Sequence, residues 1–225
     1  MLKKSKIFVF GNRVIQCFFI SALCSTIGCS GVLKRNVTPS EKKWSCDEGA
    51  DLTLKLGDLE KSIELHERFL KLNPNNGLAL YHLGYAYGKI GNHNKEISCY
   101  EKSIGLGFFK NGIFFNLGMA YGETNRIEDS INIFNRAIRF DPDNSDYHFG
   151  LALAYQKSPD NVLAEKEFLK AIEIDPKSLE ARFQLGLFYM DMGENRKARD
   201  QFLKIMELDP DHETVQELLR EIEGK

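Results

Sequence analysis

Residues 111–144 read NGIFFNLGMAYGETNRIEDSINIFNRAIRFDPDN, and residues 145–178 read SDYHFGLALAYQKSPDNVLAEKEFLKAIEIDPKS. Laid one over the other, they coincide at the places where a helical pair would need them to. Leu117-Gly118 falls on Leu151-Ala152, Tyr121 on Tyr155, Ser130 on Ala164, Phe134 on Phe168, Ala137 on Ala171 and Pro142 on Pro176. A shared period of this size marks stacked supersecondary units, each burying its apolar face against the next.

Working outward, the same phase holds for most of the chain. Proline stands at 74, 142, 176 and 210, and the missing member at 108 is Phe108. Frames of 34 then divide the chain into units 43–76, 77–110, 111–144, 145–178 and 179–212. Leu83-Gly84 and Leu185-Gly186 join the first column, and Tyr87 and Tyr189 join the tyrosines. Tyr100 and Phe202 join the second-helix aromatics, Ala198 joins Ser130 and Ala164, and Ser103 joins the last small column.

Elementary packing accounts for the pattern. Small residues let two helices cross closely, and the aromatics fill the space between layers. Proline ends the second helix because its ring interrupts the hydrogen-bond ladder. Asp141-Pro142-Asp143-Asn144-Ser145 is such a stop followed by a cap for the next helix, and Pro176-Lys177-Ser178 repeats it. Gly57, Gly91, Asn125 and Gly193 mark the turn inside each unit, with Ser158-Pro159-Asp160 taking that place in the fourth.

Over residues 43–212 this pattern resembles the tetratricopeptide family. The resemblance implies an all-α, right-handed superhelical solenoid of five 34-residue repeats. Residues 213–225 follow as a capping helix, with Val215, Leu218, Leu219 and Ile222 on one face. It also implies a concave groove lined by the first helix of each unit. The positions that line it in the family hold Tyr81, His82, Tyr85, Phe115, Asn116, Met119, Phe149, Leu153, Phe183, Gln184 and Leu187. The ninth-position column is more apolar than the family's common pattern, and an exposed apolar strip of that kind marks a binding surface. Tyr81, Tyr85 and Phe115 are the expected anchors; His82, Asn116 and Gln184 are expected to bond a partner's backbone. Gly88 and Gly122 are expected to leave room. The alternative is that these side chains pack between neighbouring helices.

Two units depart from the pattern. The first carries Cys46, Gly49 and Thr53, and His66 replaces its second-helix aromatic; it reads as a frayed cap. Asp47, Glu48 and Asp51 make its groove face acidic, which argues against gripping a partner's terminal carboxylate. The second unit ends Gly105-Leu106-Gly107-Phe108-Phe109, where an early helix stop and a hinge are expected. Glu96 stands where a small residue belongs.

The amino terminus reads as an address. Lys3, Lys4, Lys6 and Arg13 flank an apolar run from Val14 to Leu23, and small residues follow. Thr26-Ile27-Gly28-Cys29 resembles a bacterial lipoprotein cleavage box, although Thr26 stands where that family usually has an aliphatic residue. The resemblance implies that residues 1–28 are removed, that Cys29 carries lipid, and that 29–42 is a tether. The expected location is a bacterial envelope membrane, facing periplasm or cell surface; the alternatives are secretion or the cytoplasm.

Composition limits the function classes. Net charge is -2 with no basic excess, so no nucleic-acid partner is expected. No nucleophile elbow, P-loop, zincin motif or dinucleotide fingerprint occurs, and no cofactor is expected. Five cysteines without a CxxC, and histidines at 66, 82, 93, 148 and 212 in different frames, show no metal-ligand spacing along the chain. Cys46 and Cys99 are placed in helices that are not neighbours, so no disulfide is expected between them. The expectation is a non-catalytic adaptor that binds a protein or peptide segment during assembly of an envelope complex. It looks like the tetratricopeptide lipoproteins that help assemble outer-membrane β-barrels or type IV pili. The alternatives are an adaptor for periplasmic cell-wall enzymes, a cytoplasmic co-chaperone and, least supported, an enzyme. Apolar ends of the array also suggest a homodimer.

Overall fold

The computed structural model describes residues 44–110, 112–158 and 160–224. The segments read as leader and tether, with Cys29, lie outside the described residues. Eleven helices occur among the described residues: α1 Glu48–Leu56, α2 Leu59–Leu72, α3 Gly77–Lys89, α4 His93–Gly105, α5 Ile113–Glu123, α6 Ile127–Phe140, α7 Ser145–Lys157, α8 Asn161–Ile174, α9 Leu179–Asp191, α10 Asn195–Leu208 and α11 Glu213–Glu223. The second helix of successive hairpins begins at Leu59, His93, Ile127, Asn161 and Asn195, a step of 34 each time. Each helix packs on its successor, and α1 with α3, α3 with α5 and α5 with α7 also touch across units. The fold is the expected all-α solenoid. None of the described helices is long and apolar enough to cross a membrane.

Local chemistry sets the helix ends. Asp58, Asn76, Asn92, Asp160 and Ser178 each accept a backbone N–H from the first turn of the helix they precede. Asn125 turns at φ 59° and Gly193 at φ 76°, the left-handed conformation that allows so tight a reversal.

The core repeats with the frame. Tyr100, Phe134, Phe168 and Phe202 are completely buried. A Cβ on Gly84 would stand 2.8 Å from the Tyr100 ring, and one on Gly118 or Gly186 would overlap Phe134 or Phe202. The small residue of the first helix therefore makes room for the ring of the second helix, rather than for a bare approach of two backbones. Neighbouring units are tied by tyrosines. The hydroxyls of Tyr121 and Tyr189 donate to Glu101 (2.6 Å) and Glu165 (2.7 Å), and Tyr87 donates to Glu67.

Both irregular units have a physical reason. In the first, α1 is only nine residues long and starts at Glu48, capped by Asp47. Cys46 thus precedes the first helix instead of lying in it, and Asp47 is spent as a cap. In the second, α4 ends at Gly105, one residue short of the 14 in α2, α6, α8 and α10. The junction that follows, expected as a hinge, is packed in this structure. Phe108 is 2% exposed and packs against Trp44 (5.4 Å between rings) and Tyr81 (5.5 Å). At the far end α11 buries Val215 completely, with Leu218, Leu219 and Ile222 against the same cluster. Cys46 and Cys99 are both free thiols.

Candidate functional site

The eleven groove residues predicted from sequence do not share one environment. Phe149 is 7% exposed and faces Phe168 at 6.1 Å between rings, so it belongs to the core and not to an open groove. Leu153, Phe183 and Leu187 are half-buried against that same cluster. Phe115 is half-buried too, edge-on to Phe134 at 6.0 Å, and bridges the middle and carboxy-terminal cores. Tyr81 packs among Tyr100, Phe108 and His82. Much of the expected apolar column is therefore shared with the core, because the rings of the first helix pack onto the buried ring of the second helix in the same unit.

The expected hydrogen-bonding residues already have partners. The His82 ring lies 2.7 Å from the Asp51 carboxylate. Burial pushes the His82 pKa down against the pull of that carboxylate. Asn116 donates to the Tyr100 hydroxyl at 3.3 Å, and Gln184 to Glu180 at 3.1 Å. Of the acidic face expected in the first unit, Asp47 caps α1 and Asp51 is paired, while Glu48 is exposed. Beside them, burial and the Asp51 charge push the Cys46 thiol up to about 12.

Tyr85, Asn116 and Met119 do come together. With Gly88, Lys89, His93, Glu96, Tyr100, Ala120 and Glu123 they line a cleft of about 190 Å³ between α3, α4 and α5. Its lining mixes apolar side chains (Tyr85, Met119, Ala120) with polar and charged ones (Asn116, Lys89, Glu123). Lys89 stands 5.1 Å over the Tyr85 ring. Sequence reasoning missed the floor. Glu96 is 8% exposed and takes a hydrogen bond from His93 at 2.8 Å. Burial raises its pKa, while His93 pulls the other way. The Glu96 carboxylate also occupies the space above Gly88, where any Cβ would overlap it. Gly88 thus accommodates Glu96 and leaves no empty room for a partner. The signal was present in the sequence as one exception, Glu96 for a small residue, in a unit whose first helix offers Gly88 to face it. Gly122, in contrast, is open, with Lys157 Nζ 3.7 Å from where its Cβ would stand.

Three family models match successive stretches of the chain: "Tetratricopeptide repeat" over 78–106, "TPR repeat" over 118–158 and "Tetratricopeptide repeat" over 160–222. These are tetratricopeptide repeats. Solved structures agree. The chain resembles MamA at 26% identity and a TM-score of 0.66, with 76% of this chain and 99% of that chain covered. It resembles a thermophilic TPR protein of Thermus thermophilus at 22% identity and a TM-score of 0.63, covering 81% and 97%. It resembles YrrB, described as a TPR protein with an unusual peptide-binding site, at 20% identity and a TM-score of 0.61, covering 75% and 87%. No curated protein sequence matches it. Tetratricopeptide arrays are in general non-catalytic protein-binding scaffolds, and the cleft here is lined by two first helices, α3 and α5, and by the second helix α4.

Proposed function

We propose that this chain is a non-catalytic adaptor of a bacterial envelope, held to the membrane by lipid on Cys29. Its tetratricopeptide repeats take an apolar or amphipathic segment of a partner protein during assembly of an envelope complex. The observation that supports this reading is the cleft that brings Tyr85 and Met119 together with the polar and charged Asn116, Lys89 and Glu123. A short helix or extended segment with one or two apolar anchors and flanking polar groups fits that chemistry. The basic leader, apolar run and Gly28-Cys29 pair support the anchored location.

The test has two arms. Cells are labelled with a fatty acid, and the chain is then purified from membranes and its co-eluting proteins identified. Label in the wild type that disappears in Cys29→Ala supports the anchor, and an unlabelled wild type rejects it. A co-eluting partner lost in a Tyr85→Ala/Met119→Ala variant of unchanged helicity supports the cleft. A partner retained by that variant removes the cleft as its site.

A further inference from the structure

One core position breaks the repeat's chemistry. Tyr100, Phe134, Phe168 and Phe202 hold the buried second-helix position in four units, and His66 holds it in the first. His66 is 0% exposed, and its Nε2 has no hydrogen-bond partner. Leaving a buried polar atom unpaired costs stability, and an apolar ring at this place would avoid that cost. The direction of the orphan atom is informative. His66 Nδ1 lies 2.8 Å from the Ser62 carbonyl oxygen, so it carries the proton and donates there. Nε2 then presents a bare lone pair, facing Asp51 Oδ1 at 3.5 Å. Two acceptors face each other without a donor between them.

The ninth position is a second exception in the same unit. It holds Asp51, where the later units carry Tyr85, Met119, Leu153 and Leu187. Cys46 Sγ, an Asp51 carboxylate oxygen, a His66 nitrogen and a His82 nitrogen all lie within 4.8 Å of one another. They come from the segment before α1, from α1, from α2 and from α3.

We propose that Cys46, Asp51, His66 and His82 form a zinc site that clamps the first repeat onto the second. One thiolate and one carboxylate balance the charge of a divalent cation, so the filled site is neutral in a poorly hydrated place. Two imidazoles, a thiolate and a carboxylate suit zinc, whose bonds of about 2.0–2.3 Å hold tetrahedral ligand atoms roughly 3.3–3.6 Å apart. The cluster closes to that spacing by side-chain shifts of about an ångström, and the short His82–Asp51 contact opens as the cation replaces the shared proton. Binding releases the proton of the Cys46 thiol, and the His82 proton moves from Nδ1 to Nε2, so both imidazoles stay neutral. The Ser62 carbonyl, bonded to the far nitrogen of His66, fixes its tautomer as the outer partner of a metal-bound histidine does. Asp51 and His82 are 27% and 20% exposed, which leaves a route in from solvent. Four protein ligands leave no open coordination position, so the role is structural. The unit that gains most is the one whose first helix is shortest.

The full-length chain, stripped with chelator, is titrated with zinc against a competing chromophoric chelator, and separately with cobalt as an optical probe. The expected result is one equivalent bound per chain, a thiolate-to-cobalt charge-transfer band, and d–d bands of tetrahedral intensity. Cys46→Ser should lose the charge-transfer band although every other cysteine remains. His82→Gln should weaken zinc binding at least tenfold, and zinc should raise the melting temperature of the wild type but not of His82→Gln. A wild type that binds neither metal, or a charge-transfer band that survives Cys46→Ser, overturns the site. Because the wild-type titration needs no variant, a failure of either substitution to fold does not protect the proposal.

Discussion

Gly118 shows what one atom decides in this array. Phe134 is completely buried, and its ring fills the space over Gly118 in its own unit and over Gly150 in the next. A side chain at either glycine has nowhere to push the ring. Gly118→Leu should therefore destabilise by about 1–3 kcal/mol or more, read as a lower urea midpoint with an unchanged slope. An unchanged midpoint would mean that the ring can leave its pocket freely. Glu96 makes the opposite case, a polar group in a place built for a small one. Its burial raises the folded pKa above the unfolded one. That contribution to stability is complete below the unfolded pKa and is lost as pH rises through the folded value. The wild type should thus lose stability relative to Glu96→Gln as pH climbs above the ordinary glutamate value of about 4.3. Thermal melts of both proteins across that window measure the difference, and parallel profiles would exclude Glu96 as the titrating group.

At the scale of elements, a helix in this array is stable when both of its neighbours are present. The middle hairpins have packed units on either side, and their tyrosines reach glutamates of the preceding unit. α11 serves as the missing neighbour for α10, since Val215 is fully buried in the cluster that holds Ile205 and Phe202. Ending the chain at Asp211 should uncover that cluster. The expected outcome is a lower melting temperature and concentration-dependent self-association in sedimentation, because a solenoid without its polar cap exposes a sticky face. A truncated chain that stays monomeric and equally stable would show that α11 covers nothing of consequence.

For the molecule as a whole, folding and binding use overlapping residues but not identical ones. Phe149 and Phe115 occupy the same column, yet Phe149 is core and Phe115 is half-buried between clusters. Substituting either would disturb the stack as well as any partner. Tyr85 and Met119 are the better probes because both line the cleft, Tyr85 outside the core clusters and Met119 at the edge of the one around Phe134. Each Ala substitution should weaken partner affinity by about tenfold, close to 1.4 kcal/mol, with far-UV circular dichroism unchanged. Calorimetry with the co-purified partner checks this. Equal affinities in wild type and both variants would mean that binding occurs elsewhere.

What the amino-acid sequence determined alone was the period, the helix pairs, the turns at Asn125 and Gly193, and the identity of the packing aromatics. These follow from chemistry within a few residues or from repetition at one interval, both visible along a line. What only the tertiary structure decided was which groove positions stay open and which side chains meet across units. Tyr85, Asn116 and Met119 were legible as candidates, but their separation from Phe149 depends on how tightly each pair of helices packs. The meeting of Cys46, Asp51, His66 and His82 was not legible at all. Metal-ligand motifs are recognised by short spacings, whereas these four residues are brought together by lateral stacking of separate helices, which no local pattern along the chain records.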